Sequence, residues 1–368
     1  MSTDPVPTDS LSTPFGNKPG AVGTPPQHYG NPLREQRSLA EGEAIVDLSD
    51  RAVLTVTGPD RLSWINSLTS QAVLTLQPGQ STETLLLDQA GRLEHAARLF
   101  DDGVSTWILV DAEEGEPLRS WLDRMRFMLR VEVADRTAEY ATIGTLGSPA
   151  IEAASPNGIP LVWKDPWSAV APGGHQYATV ETHPAQEWTY SELLVERDRL
   201  SAAAELPAAG TLALEALRIA AWRPRRSTEV DERTIPHELD WLRSAVHLNK
   251  GCYRGQETVA KVHNLGHPPR RLVMLHLDGS EGVLPQHGDS VLAGDNEVGV
   301  ITSAALHYEY GPIALAVIKR SVDPTADLVV TVGDPVVHMA AAQELIVPPT
   351  AGAEANVPRL PRLGAVRR

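Results

Sequence analysis

The chain has 368 residues and a formal net charge of −15, with 42% apolar residues, long enough for two or three modules around a sizeable core. Its acidity argues against a duplex nucleic acid gripped by its phosphates, and no uninterrupted apolar run is long enough to span a membrane. One cysteine, Cys252, excludes an internal disulfide and fits a reducing compartment. The N-terminus has no basic stretch followed by an apolar one, so a cytoplasmic protein is expected.

Residues 1–38 are rich in Pro, Gly, Ser and Thr and read as a disordered tail, as do residues 346–368. "AVLTVTG" (52–58) alternates like a strand, and "PDRLSWINSLTSQ" continues as a helix with proline in its first turn and Leu62, Ile65 and Leu68 at helical spacing. "STETLLLD" and "GRLEHAARLF" form a hairpin about "DQAG"; "STWILV" adds a strand, and "EPLRSWLDRMRFML" a helix. "HQYATVET" reads as strand and "SELLVERDRLSAAAEL" as helix; "GTLALEALRIAAW" (210–222) is a helix ended by "RPRRS". From residue 270, four strand-like stretches separated by turn residues predict a small antiparallel β-barrel.

Three features carry candidate chemistry. Gly251 and Gly255 put Cys252 on a loop, and "TVAKV" leaves it as a strand. If residues 250–254 are extended, Lys250, Cys252 and Arg254 share one face, opposite Tyr253. Two flanking cations favour a thiolate, while a small buried thiol is the plainer alternative. A zinc site recruiting His263 and His267 has the wrong spacing and too few ligands. On the 210–222 helix, Arg218 falls at the edge of the apolar stripe and needs an anionic partner: an internal carboxylate such as Glu215, or a ligand carboxylate. On the hairpin, Arg92, Glu94 and Arg98 share a face opposite Leu93, His95, Ala97 and Leu99, the pattern of a surface ion network. Phosphate-loop, dinucleotide, serine-hydrolase and zincin motifs are missing.

"NKGCYRGQE" resembles the K-G-C-Y-x-G-Q-E signature of the YgfZ folate-binding family, relatives of the glycine-cleavage T-protein (aminomethyltransferase). "VTGPDRLSWINSLTSQAVLTLQPGQSTETLLLDQAGRL", "LEALRIAAWRP", "TIPHEL" and "GDSVLAGDNEVGVITSAAL" extend the resemblance over roughly 44–342. It implies an α+β fold: a T-protein-like α/β body over 39–268, in two subdomains split near 138, around a central folate channel, with a C-terminal barrel over 269–345. It implies tetrahydrofolate, or a one-carbon derivative, as cofactor, and iron-sulfur client or assembly proteins as partners. By the same resemblance Arg218, Lys250, Tyr253, Gln256 and Glu257 are candidate cofactor contacts, joined by Arg254 from its place beside Cys252, and Cys252 and Glu94 are candidate catalytic groups. "AGRLEH" stands where the T-protein carries an aspartate pair, so Glu94 and His95 replace it and aminomethyl transfer loses support. The expected function is a folate-binding protein that assists assembly or repair of iron-sulfur proteins; the alternative is a tetrahydrofolate-dependent aminomethyl or methyl transferase.

Overall fold

A computed structural model describes residues 13–333 and 335–355. Its first sheet is antiparallel, ordered Ser81–Leu87, Leu93–Asp101, Ser105–Val110, Ala52–Thr57 and Glu132–Asp135. Period-two alternation splits its side chains between two cores. Leu54, Val56, Leu86, Leu99, Ile108 and Val110 pack outward against Trp64 and Ile65 of the helix Arg61–Leu68 and Leu118 and Leu122 of the helix Ala112–Met125. Val53, Leu85, Leu87, Phe100, Trp107 and Leu109 face inward.

The second sheet runs Ala208–Ala209, Ile45–Asp47, Tyr140–Thr145, Ser191–Glu196 and Val162–Lys164, with one parallel pair at Ile45–Asp47 and Ala208–Ala209. Its inner residues, among them Val46, Tyr140, Trp163 and Leu194, share a core with the inner face of the first sheet. The chain enters this sheet at Ile45, before building the first, so the two sheets are laced together early.

Six strands, Arg270–Leu277, Gly311–Lys319, Asn296–His307, Ser290–Ala293, Leu328–Val332 and Val337–Leu345, pair in that order and close as an antiparallel barrel. Alternation again sorts the residues: Val273, Leu275, Ala314, Ala316 and Ile318 fill the barrel, whereas Leu272, Met274, Ile313, Leu315 and Val317 join the core of the body. The helix Thr211–Ala220 lies against both the helix Pro32–Ala40 and the barrel strand Asn296–His307, tying barrel to body. The fold is thus α+β with a closed C-terminal barrel.

Three local expectations are corrected. The expected tail is ordered from residue 13: Pro14–Asn17 is a 3-10 helix, Pro32–Ala40 an α-helix, and Phe15 is buried beneath Ile45, Ile143 and Val195. Lys18 donates to the carbonyls of Ala204 and Leu206, and Glu35 accepts from the backbone N–H groups of Tyr29, Asn31 and Gly210. One phenylalanine and a few directed polar contacts hold a segment whose composition is that of a tail. At the other end Ile346 and Val347 are buried; the tails expected over 1–12 and 356–368 lie outside the described residues. "SELLVE" is strand, not helix, because Ser191–Glu196 is paired on both sides, while "HQYATVET" is in no strand. "TVAKV" is helical: Gln256–Leu265 starts after Gly255, whose φ is 83°, and buries chiefly Val259.

Candidate functional site

Both sheets, the start of the helix Thr211–Ala220 and the N-terminal residues Thr24, Pro25 and Gln27 enclose a cavity of about 270 Å³. The segment expected to be disordered therefore forms part of its wall. Each ionic group has a clear local origin. Arg51 sits in the turn between two strands, Arg98 on the inward face of Leu93–Asp101, Asp111 between a strand and the helix Ala112–Met125, and Arg225 just beyond the helix-breaking Pro224.

These groups form one network. Arg51 pairs with Glu192, and Arg98 reaches Glu192 at 3.3 Å; the Tyr190 hydroxyl donates to Glu192 at 3.0 Å. Arg225 and Ser227 each donate to Asp111 Oδ2 at 2.9 Å. Burial opposes ionisation of Asp111, but the guanidiniums of Arg225, Arg98 and Arg51 outweigh it and hold the carboxyl far below the usual range. Burial, reinforced by the neighbouring Arg98, pushes Arg51 down to about 10, leaving it cationic at neutral pH. Two oxygens stay unsatisfied: Asp111 Oδ1, which Arg98 and Arg51 approach only to 3.6 and 3.8 Å, and Glu192 Oε2. A buried polar atom without a partner is costly and points to a ligand or water that completes it.

Arg218 lines the cavity yet takes the internal alternative. All five of its N–H donors are engaged: two by Glu215, and one each by Glu229 at 2.9 Å, the Arg223 carbonyl at 2.6 Å and Ser303 at 2.6 Å. Ser303 belongs to a barrel strand, so this arginine fastens barrel to body and has no donor left for a ligand carboxylate. Arg223 is also held by protein carboxylates, Asp165 at 2.9 Å and Glu83 at 2.6 Å.

The signature residues do not line the cavity; they clamp elements together. Lys250 points away from its loop and donates to the carbonyls of Asn66, Thr69 and Gln71 at 2.6, 2.6 and 2.8 Å, completing the C-terminal end of the helix Arg61–Leu68. Burial lowers its pKa to about 8. Tyr253 is buried in the main core with its ring 5.2 Å from that ammonium. Gln256 donates to the Lys250 carbonyl at 3.2 Å and closes the loop, and Glu257 is exposed in the first turn of the following helix. Arg254 pairs with Glu94 at 2.8 Å. The expected arrangement, two cations flanking a thiol, is replaced by one in which both cations are held elsewhere and Cys252 is exposed.

Glu94 reaches that loop because of a β-bulge. Leu86 pairs with His95 but Leu87 pairs with Leu93, leaving Glu94 as the extra residue. The bulge turns Leu93 to the inner core with Ala96 and Phe100, so the simple alternation expected from the sequence fails there. The expected surface network of Arg92, Glu94 and Arg98 is accordingly split: Arg98 goes to the cavity and Glu94 to Arg254. The hairpin and the loop touch through two glycines. A Cβ on Gly255 would lie 2.6 Å from the Asp88 carbonyl oxygen and 3.0 Å from Gly91 Cα. His95 meets Glu114 at 3.0 Å, and Arg226 meets Glu114 at 3.2 Å; the last two line the cavity, so Glu94 stands one residue removed from its wall.

Sequence reasoning therefore identified Arg98 and Arg218 as charged positions but missed Arg51, Asp111 and Glu192. The available signal was weak: a charge next to a strand in each case, with partners far apart in sequence.

The two-sheet body closing on an antiparallel barrel is a fold shared with a solved aminomethyltransferase. Residues 270–345 match the model of the glycine cleavage T-protein C-terminal barrel domain. The chain is 26% identical over 319 residues to an aminomethyltransferase of Rippkaea orientalis, covering 80% of this chain and 84% of that one. It is 25% identical over 307 residues to an aminomethyltransferase of Herpetosiphon aurantiacus, covering 80% and 83%. The crystal structure of the glycine cleavage system aminomethyltransferase T from Bartonella henselae superposes with a TM-score of 0.65 at 15% identity, covering 92% of this chain and 96% of that one. No helix among the described residues is long and apolar enough to cross a membrane.

Proposed function

We propose that the central cavity binds a reduced folate, and that the protein serves iron-sulfur protein assembly or repair as a folate-dependent accessory factor. The supporting observation is Asp111 Oδ1, a buried carboxylate oxygen without a partner in a cavity lining that includes Tyr190 and Trp188, together with the unpartnered Glu192 Oε2, whose carboxylate is bound to the lining residues Arg51, Arg98 and Tyr190. A pterin edge carries adjacent N–H donors suited to carboxylate acceptors and a flat ring suited to aromatic walls. When bound, tetrahydrofolate supplies a carrier for a one-carbon unit. Asp111, kept ionised by three guanidiniums, holds the donor edge, and Glu192 fixes Arg51, Arg98 and Tyr190 around it; Arg225 and Arg226, both partly exposed, offer cationic partners to an anionic tail. The iron-sulfur role rests on the signature resemblance and on Cys252, which the loop presents to solvent for a client.

A one-carbon transferase is the second reading, favoured by likeness to aminomethyltransferases over about four-fifths of the chain. Against it, Glu94 is committed to Arg254 and lies off the cavity wall. Calorimetry with tetrahydrofolate is expected to show binding that weakens about tenfold or more in Asp111→Asn, a lost charge-assisted hydrogen bond, weakens less in Glu192→Gln, which acts through Arg51 and Arg98, and is unchanged in Cys252→Ser. In cells lacking the protein, iron-sulfur enzyme activities should fall and be restored by wild type but not by Asp111→Asn or Cys252→Ser. Binding indifferent to both carboxylates would reject the site. Methylene turnover that collapses in Glu94→Gln and survives Cys252→Ser would favour the transferase.

A further inference from the structure

A second cavity, of about 520 Å³, opens between the segment 182–188, the C-terminal part of the helix Thr211–Ala220 and the barrel turn 307–310. Trp188 lines both cavities and is fixed by its indole N–H donating to Asp165 at 2.9 Å. The deep wall of the second cavity carries His183, only 4% exposed.

Its protonation follows from its neighbours. His183 Nδ1 accepts the backbone N–H of Ala185 at 3.1 Å as it caps the 3-10 helix Pro184–Glu187. The proton of the neutral ring is therefore on Nε2, and that N–H is buried with no partner. Edge contacts with Trp167 and Trp222 lock the ring. Burial, aided by the charge of Arg243, lowers its pKa to about 4, so it remains a neutral donor near pH 7. Across the cavity His307 repeats the pattern: its Nδ1 accepts from the backbone N–H groups of Glu309 and Tyr310, and its ring stacks on Tyr310 at 4.7 Å. The charged lining residues are the exposed Glu41, Glu187 and Glu309, with no lysine or arginine among them.

We propose that this cavity is a second binding site, separate from the central one, for a flat nitrogen heterocycle, neutral or cationic, whose ring nitrogen or carbonyl accepts the His183 Nε2–H. The aromatic walls supply stacking surface, the histidine an obligatory donor, and the acidic rim discriminates against anions. The reading stands independently of what the central cavity binds.

The test uses the full chain with side-chain nitrogen-15 labelled histidine, titrated with adenosine, 1-methylnicotinamide and, as the anionic control, adenosine monophosphate. Adenosine and 1-methylnicotinamide are expected to shift the His183 Nε2–H resonance, and adenosine monophosphate to bind at least several-fold more weakly than adenosine. In His183→Phe, which keeps a ring in place, adenosine binding should weaken about tenfold, the worth of one hydrogen bond to an otherwise unpaired group. Should that variant fail to fold, Glu187→Lys with Glu309→Lys provides the second arm: these exposed changes should weaken 1-methylnicotinamide and strengthen adenosine monophosphate. Resonances of His183 that no probe moves would mean a water-filled cleft and overturn the proposal. So would adenosine binding lost in Asp111→Asn but kept in His183→Phe, which would place the probe in the central cavity.

Discussion

Asp240 is fully buried in a left-handed conformation with φ of 55°, where its Oδ1 accepts the backbone N–H of Tyr177 at 2.7 Å and its Oδ2 has no partner. Burial raises its pKa to about 7, against the opposing pull of the Tyr177 hydrogen bond and of Arg243. The folded value lies above the unfolded one, so its contribution to stability is complete at low pH and is lost as pH rises from about 4 through about 7. Asparagine tolerates the same backbone and keeps the acceptor while removing the charge. Asp240→Asn is therefore expected to melt higher than wild type above pH 7, with the difference shrinking toward pH 5; thermal denaturation across that range checks it, and a constant difference would contradict the ionisation. Arg218 teaches the complementary lesson at the same scale. An inward arginine signals an anion, but only a count of its five donors shows that protein carboxylates, a carbonyl and a hydroxyl use them all.

At the scale of elements, the loop 248–255 and the hairpin about Gly91 act as one unit, joined by facing glycines, by the Arg254–Glu94 pair and by the anchoring of Lys250 on the helix Arg61–Leu68. Gly255→Ala would add a Cβ against the Asp88 carbonyl in a left-handed conformation, at a cost of about 2 kcal/mol or more. Urea denaturation should show that loss, and hydrogen exchange should show faster opening confined to residues near 88–95 and 248–258. An effect no larger than that of a surface alanine would remove the glycine contact from the account. The glycines were visible in the sequence as loop markers, but the element they face was not, because contact between residues 91 and 255 is a tertiary fact. The same holds for the first part of "SELLVERDRLSAAAEL": its Leu and Glu favour a helix, but pairing between two strands overrides that preference over Ser191–Glu196, and a helix forms only over Leu200–Ala203. "TVAKV" errs in the other direction, since β-branched residues suit a strand until a glycine start and one buried face at Val259 set a helix.

For the whole molecule, stability on the acid side depends on histidines buried in neutral form. Burial holds His183 and His237 at about 4, below their ordinary 6.5. Because these folded values are depressed, their contribution is present above about pH 6.5 and is lost as pH falls toward about 4. The two histidines together outweigh the opposite contribution of Asp240 over that window, so the melting temperature should fall there, and less steeply in His183→Phe; an unchanged slope would show that other groups control acid unfolding. The barrel and the body stand or fall together in this respect, since the main core runs continuously from Leu39 through Leu315 to Ala351.

What the sequence by itself determined is what local patterning controls. Alternating apolar residues specified the barrel strands and the 81–100 hairpin, and helical spacing specified Thr211–Ala220, because burial on one face of an element leaves a period of two or 3.6 in the chain. The tertiary structure alone decided which charges meet. Arg51, Arg98, Asp111, Glu192 and Arg225 converge from five separate segments, and a bulge at Glu94 shifts the strand register between them and the loop of Cys252. Ionic partners separated by up to 141 positions impose no period on their neighbours. The ordered N-terminal wall was hidden for a related reason: one buried phenylalanine and a few directed hydrogen bonds hold it, and neither alters its composition enough to distinguish it from a tail.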